Sequence, residues 1–252
     1  GVRANLRRIL AARGIHPARG AIRTLARKTY QAFGKYIVDF YRFSRAFCDE
    51  LEHKVGVEHA DCLERALAAG RGVILATAHL GSWEIGGLYL ATHGHRVTAV
   101  YRPTGVPHLD RLWRDQRLQR GIRILPLGEA AAGLRQALAN RELVALLTDR
   151  DFTGHGRTVY FFDAPVKMPI GPAVLSARHK APIVPAFMLR QVDDRFLLQF
   201  HEPIWPGEHA SVAELHARLV RVIEQVNGNH PTQWFVFRDF WSTVEPAAEK
   251  SS

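Results

Sequence analysis

The segment "VILATAHLGSWEIGG", Val73 to Gly87, places a base, a hydroxyl and a carboxylate within six residues of one another. An apolar run ends at His79, and Glu84 follows five residues later. Imidazole titrates near neutral pH, so it can take a proton from an alcohol or amine that attacks a carbonyl. A carboxylate bonded to one ring nitrogen would fix the tautomer and leave the other nitrogen as the base. Five residues apart in one continuous helix, the two side chains would diverge. If Ser82 is instead a helix N-cap and His79 still belongs to the loop, the chain can turn back and bring Glu84 to the ring. The spacing therefore predicts a His79 base oriented by Glu84. The competing reading, evenly matched on spacing alone, makes His79 a cap and Glu84 a solvated acid favoured by the helix dipole.

Other catalytic signatures are missing from the sequence. No serine stands in a G-x-S-x-G setting, no H-E-x-x-H or cysteine pair suggests zinc, and no G-x-x-x-x-G-K loop is present. "GHGRTV" lacks the third glycine and the strand-helix setting of a dinucleotide site. The nucleophile is then expected to be the substrate's own.

The elements that would hold these groups alternate from about residue 71 onward. "GVILATA", "RVTAVYR", "IRILPL", "ELVALLTD", "TVYFF", "PIVPAFML" and "FLLQFHEP" read as strands. Between them, "SWEIGGLYLATHG", "LDRLWRDQRLQR", "EAAAGLRQALAN" and "GPAVLSARHK" read as helices, and a last helix spans about Ser211 to Asn227. This alternation predicts an α/β fold with a central mixed, mostly parallel sheet flanked by helices. The loop after a strand's carboxyl end is where such folds bind ligands, and His79 falls there. Residues 1–70 are expected to be a helical region, with one pattern in "RANLRRILAAR" and a longer one from Ala21 to Leu51. Residues 71–241 form the expected core, and 242–252, including "EPAAEKSS", an expected disordered tail.

With 252 residues and 47% hydrophobic content, the chain can bury one sizeable core. Cys48 and Cys62 make neither a disulfide framework nor a metal quartet and are expected to be reduced and structural. No apolar run approaches the roughly 20 residues of a membrane span, and the start at Gly1 leaves room for a preceding anchor. The net charge of +10 suits an acidic partner. Arg3, Arg7, Arg8, Arg13, Arg19, Arg23, Arg27 and Lys28 crowd the first helices beside Leu6, Ile9, Ile22 and Leu25. Such a segment either lies on an anionic bilayer or packs on the core with a solvated basic face. No nucleic-acid module accompanies the charge, so nucleic acid is not expected as a partner.

"AHLGSWEIGG" resembles the H-x-x-x-x-[D/E] motif of the bacterial lipid A biosynthesis (lauroyl/myristoyl) acyltransferases and the related phosphatidylinositol mannoside acyltransferases. Further blocks resemble the same family in order: "QAFGKYIVDFYRF", "VYRP", "TDRDFTGHGRTVYFFDAPVKMPIGPAVLSARHKAPIVPAF" and "HPTQWFVFRDFW". They span about Asn5 to Trp241. Two departures stand out. Asp163 occupies the usual glycine of F-F-G, and the acidic pair reads "DRD" rather than D-Q-D or D-H-D.

The resemblance implies transfer of a fatty acyl chain from a thioester to a hydroxyl of a membrane lipid, at the cytoplasmic face of the bacterial inner membrane. The donor would be acyl-CoA or acyl-carrier protein. His79 would be the base and Glu84 its partner, without metal or other cofactor. Ser82, Trp83, Arg102, Asp149, Asp151 and Arg157 are the expected substrate-binding residues. The planar fork of Arg102 suits a phosphate or another acidic group, against a surface ion pair as the bland reading. Asp149 and Asp151 would bind sugar hydroxyls or hold Arg150 or Arg157, unless they merely cap a turn. Gly154, Gly156 and Arg157 would form a loop able to close over substrate. The rivals are a metal-dependent glycosyltransferase using Asp149-Arg150-Asp151 and a non-catalytic lipid-binding protein.

Overall fold

A computed structural model describes residues 1–42 and 45–242. The side chain of Cys48 and the expected tail "EPAAEKSS" lie outside the described residues. Cys62 is a buried free thiol.

Among the described residues, seven strands form one sheet in the order β1-β9-β8-β2-β5-β3-β4. They are β1 (Val55–Glu58), β2 (Val73–Thr77), β3 (Val97–Tyr101), β4 (Ile122–Pro126), β5 (Leu143–Leu147), β8 (Ile183–Arg190) and β9 (Phe196–Phe200). Pairing is parallel from β8 through β2, β5 and β3 to β4. Strand β9 runs antiparallel to β8 and carries β1 parallel to itself. The expected mixed, mostly parallel sheet is present. Central β2 is apolar almost throughout because helices cover both of its faces.

Side-chain alternation divides the core. Ile74 and Ala76 of β2 point to α7 (Ala130–Ala139), α8 (Gly171–His179) and α9 (Val212–Asn229). Val73 and Leu75 point to α3 (Arg45–Lys54), α4 (Ala60–Ala68) and α5 (Trp83–Thr92). Ser211 caps α9 reciprocally with Glu214, a capping box at the start of that helix.

Three expectations need correction. The first seventy residues are not wholly helical, because "VGVE" is β1, hydrogen-bonded to β9 at the sheet edge. It is too short to show an alternation, and its partner lies far along the chain. The pattern from Ala21 to Leu51 is divided between α2 (Arg19–Tyr41) and α3. After "TVYFF" comes a strand that the sequence reading lacked, β7 (Ala164–Met168), which forms a hairpin with β6 (Arg157–Phe161). Phe162 (φ 51°) and Asp163 (φ 58°) make its two-residue turn with both residues left-handed. That geometry is a physical reason for glycine at the second position in related chains, and Asp is among the residues that tolerate it.

The N-terminal helices are amphipathic, and their apolar faces are packed against the rest of the chain. Val2, Leu6, Ile9 and Leu10 of α1 (Val2–Ala12) are buried, as are Ile22 and Ala26 of α2. The Asn5 amide donates to the carbonyls of Val236 and Arg238, 2.9 Å each, and accepts from Phe240 N–H at 3.0 Å. Phe33 and Tyr36 of α2 pack against Phe235 and Phe237 of the closing segment. The closing aromatic segment is thereby held against the sheet edge where His79 emerges.

Candidate active site

Parallel pairing sets Thr77, at the end of β2, opposite Leu147, at the end of β5. Each chain then runs two residues further, to His79 and Asp149. Thr148 N–H and Oγ–H both donate to the Thr77 carbonyl at 2.9 Å, which keeps the two extensions together. His79 Nδ1 lies 2.7 Å from Asp149 Oδ1, and the His79 backbone N–H donates to Oδ2 at 3.1 Å. Trp234, delivered by the closing segment, donates its indole N–H to the same Oδ2 at 2.8 Å.

Asp149 is fully buried. Burial alone would raise its pKa, but the His79 charge outweighs that effect together with the hydrogen bonds from His79 and Trp234, and the pKa is lowered. The carboxylate therefore stays ionised. An ionised carboxylate only accepts, so Nδ1 must carry the proton and Nε2 is the nitrogen with a free lone pair. His79 lines the cavity described below.

The loop that carries His79 is held on two sides. Phe235 N–H donates to the His79 carbonyl at 2.7 Å, and Ser82 N–H donates to the Met188 carbonyl at 2.7 Å. Gly81 sits at φ +64°, and a Cβ there would come within 2.1 Å of the Met188 carbonyl oxygen. Only glycine fits this turn.

The expected His79–Glu84 bond is not among the described hydrogen bonds. Trp83 meets His79 edge-on at 5.2 Å between ring centroids, and Asp149 takes the ring nitrogen. Glu84, one position further round the helix, instead faces α6 (Pro107–Leu118), where Arg117 grips it in a fork at 2.5 and 3.1 Å. The pair is largely buried. Beside it, Tyr36 stacks on Trp83 at 4.2 Å. Burial, then the nearby Glu84 charge, drives the Tyr36 hydroxyl pKa well up. Ser82 stands at the N-cap of α5, but its side chain makes no cap bond there.

Arg102 follows β3 at the sheet edge and lies 4.8 Å from the Phe152 ring, with Arg150 5.4 Å from the same ring. Burial, offset in part by Asp149 but reinforced by Arg238 and Arg102, lowers the Arg150 pKa. Its Nε is buried and has no hydrogen-bond partner among the described residues. Arg150, which lines the cavity, was not expected as a site residue. The signal for it was its place between the two aspartates.

Asp149 is not presented to sugar hydroxyls, since it is sealed beneath the imidazole. Asp151 accepts from Thr153 N–H, Thr153 Oγ–H and Gly156 N–H, at 2.9, 2.8 and 2.7 Å, so it builds the 151–156 loop. Both carboxylates of "DRD" accept hydrogen bonds within the protein, Asp149 fully buried and Asp151 half-buried at the cavity wall. Arg157 starts β6, is exposed and is not among the residues that line the cavity.

A cavity of about 890 Å³ opens at His79. Beneath α5 it runs along the sheet past Leu75, Ala99, Ala145 and Met188, and α5 contributes Gly86 and Gly87 to its wall. These two glycines put no side chain into the recess, where a Cβ at Gly86 would lie 3.3 Å from Met188 Cβ and one at Gly87 3.5 Å from Ile122 Cδ1. Arg102, Arg150 and Trp83 are also among the lining residues. An apolar recess with a base and cations in its wall suits a long hydrocarbon attached to a polar, acidic head.

The chain matches the family model described as bacterial lipid A biosynthesis acyltransferase over residues 2–243. It is 29% identical over 248 residues to a phosphatidylinositol mannoside acyltransferase of Mycobacterium tuberculosis, covering 95% of this chain and 76% of that protein. The protein of the same name from Mycolicibacterium smegmatis is 26% identical over 224 residues, covering 86% and 72%. A lipid A biosynthesis acyltransferase of Haemophilus influenzae is 26% identical over 134 residues, covering 53% and 41%. Among solved structures, the 1-acyl-sn-glycerophosphate acyltransferase PlsC from Thermotoga maritima aligns with a TM-score of 0.46 at 14% identity, covering 84% and 96%. The chain belongs to the bacterial lipid A biosynthesis acyltransferase family.

Proposed function

We propose that the protein transfers a fatty acyl chain from acyl-CoA or acyl-carrier protein to a hydroxyl of a membrane glycolipid. In this reading His79 is the general base and Asp149, rather than Glu84, orients it. The observation that carries the proposal is the Trp234–Asp149–His79 chain of hydrogen bonds at the mouth of a long apolar cavity. Nε2 takes the proton of the acceptor hydroxyl as its oxygen bonds to the thioester carbonyl carbon. The carbon–sulfur bond then breaks, and the departing thiolate takes the proton back from the imidazolium. Asp149 stabilises the charged ring between these steps, and base catalysis of this kind contributes on the order of 10²- to 10⁴-fold. No covalent acyl-enzyme and no metal enters the sequence of steps.

The acyl chain occupies the recess beneath α5, where Gly86 and Gly87 give it width. Arg102 and Arg150 hold an acidic group of donor or acceptor. The two mycobacterial relatives, similar over most of the chain and named for phosphatidylinositol mannosides, support a mannosylated phospholipid as acceptor. No helix among the described residues is long and apolar enough to cross a membrane. The reading is an enzyme, peripheral or anchored by a segment outside this chain, that meets its acceptor at the cytoplasmic face of the plasma membrane.

The test is incubation of the protein with acyl-CoA of graded length and vesicles carrying phosphatidylinositol mannosides or a lipid A precursor. Mass spectrometry should find acceptor heavier by one acyl chain, formed with stoichiometric thiol release, and neither product with His79→Ala. Thiol release without acylated lipid, or transfer that a chelator abolishes, would overturn the proposal.

A further inference from the structure

Helix α6 roofs the cavity from outside yet has no buried residue. Asp110, Trp113 and Arg117 form its inner edge and line the cavity. Next to Trp113 on the helical wheel, Leu109 and Leu112 are 39% and 40% exposed, and Val106 at the N-cap is 47% exposed. Trp113 N–H donates to the Tyr41 hydroxyl at 3.1 Å, so this flank continues onto α2. There Val38 and Tyr41 are 55% and 46% exposed, one helical turn apart. Five exposed apolar side chains thus gather at one side of the cavity roof, which soluble proteins rarely leave uncovered without function.

The charge around them is positive. Residues 102–120 contain five arginines (102, 111, 114, 117 and 120) against Asp110 and Asp115, and Arg117 is neutralised inward by Glu84, which leaves the segment with a net excess of two positive charges. Asp110 is engaged by Thr104 and Gly105, and Asp115 pairs with Arg114. On the N-terminal helices Val2, Leu6, Ile9, Leu10, Ile22 and Ala26 beside the arginines are buried, and Tyr30 is the exposed apolar side chain of α2 outside the flank formed with Val38 and Tyr41.

We propose that the α6 flank, with Val106, Leu109, Leu112, Val38 and Tyr41, is the surface that docks the protein on an anionic lipid bilayer. Leucines enter the acyl boundary while arginines meet the head groups. The cavity roof then lies against the bilayer, so an acceptor lipid passes from membrane to His79 without crossing water. The direction of that passage rests on the acyltransferase reading, whereas the docking itself does not.

The experiment is co-sedimentation of the full chain with vesicles of phosphatidylcholine alone or with phosphatidylglycerol added, at low and high salt. Wild type should bind the anionic vesicles, and less so as salt screens the arginines. Leu109→Asp with Leu112→Asp should lower that partition on the order of tenfold or more, the value of two leucines withdrawn from an apolar phase. Arg3→Gln with Arg7→Gln and Arg8→Gln should bind as wild type. Thiol release with a water-soluble acceptor should survive the leucine changes, which reports an intact fold. Unchanged binding of the leucine variant, or loss in the arginine variant instead, would overturn the proposal. So would binding to an acidic carrier protein that these leucine changes weaken, in the absence of vesicle binding. Docking as described but without any acyl transfer would leave the surface standing and remove the acyltransferase reading.

Discussion

Replacing Asp149 by Asn changes one atom's chemistry and, by the geometry of the site, should reverse the tautomer of His79. Two obligate donors converge on Oδ2, the His79 backbone N–H at 3.1 Å and the Trp234 indole at 2.8 Å. An NH2 group placed there would face both donors, so the asparagine carbonyl must take that position. Its NH2 is then left facing His79 Nδ1, where Oδ1 had accepted at 2.7 Å. Nδ1 must accept, the ring proton moves to Nε2, and the lone pair that faces the substrate is lost. The expected loss is the whole contribution of the base, about 10²- to 10⁴-fold in kcat, or about 3–5 kcal/mol of barrier. Stability should change far less, because the exchange also removes a buried charge, so Tm should move by less than about 5 °C. The assay is thiol release from acyl-CoA under saturating substrates, with unfolding followed in parallel. His79→Ala and the double variant His79→Ala/Asp149→Asn should be equally slow, since both residues act through one lone pair. Wild-type turnover in Asp149→Asn, or losses that multiply in the double variant, would refute the reasoning.

The Glu84–Arg117 pair should behave as a buried brace. Arg117→Met should cost about 2–4 kcal/mol by leaving a carboxylate without its partner, and adding Glu84→Gln should recover most of it; denaturant unfolding measures both, and a fall in kcat for Glu84→Gln at unchanged stability would instead make Glu84 a partner of the base. Gly81→Ala should lose more than about 2 kcal/mol and most activity, because the turn that carries His79 needs a positive φ and a bare Cα; near-normal unfolding would show that the turn relaxes. Gly87→Leu should fill the recess beneath α5 and shift donor preference to shorter acyl chains with turnover on those retained, read by competing donors of graded length; an unchanged preference would place the chain elsewhere. Burial lowers the pKa of His95, His201, His216 and His230 below the ordinary 6.5, with neighbouring charges of His93, His59 and Arg157 adding to it for the first three. The unfolded chain then binds more protons than the folded one as pH falls through 6.5, so Tm should be highest above that pH and drop toward pH 5, with Asp149 adding its loss only below its ordinary 3.8; a flat Tm between pH 7.5 and 5 would contradict this.

The sequence by itself determined what is local. Strand-length apolar runs, helical periodicity and the glycines that close helices placed nearly every element of the sheet, and with them His79, Arg102 and Asp149 at carboxyl ends of strands. The two elements that were missed, "VGVE" and "APVKM", are four and five residues long. Length alone does not set them apart, but "VGVE" is broken by a glycine and "APVKM" by a proline, and they are strands because β9 and β6 supply their hydrogen bonds. The order of strands was decided by the tertiary structure alone. It set β2 beside β5 in a register that brings His79 to Asp149, seventy residues on, while Glu84, five residues on, turned toward Arg117. Proximity in sequence favoured the nearer carboxylate. Parallel pairing, a Trp83 ring beside the imidazole and an indole donor from the chain's closing segment favoured the farther one. The basic N-terminal stretch carries the same lesson. Its composition fits a membrane surface, but packing buried the apolar side chains of α1 and the first half of α2 and left the exposed apolar flank to α6 and the end of α2, because which face of a helix meets solvent depends on what the rest of the chain lays against it.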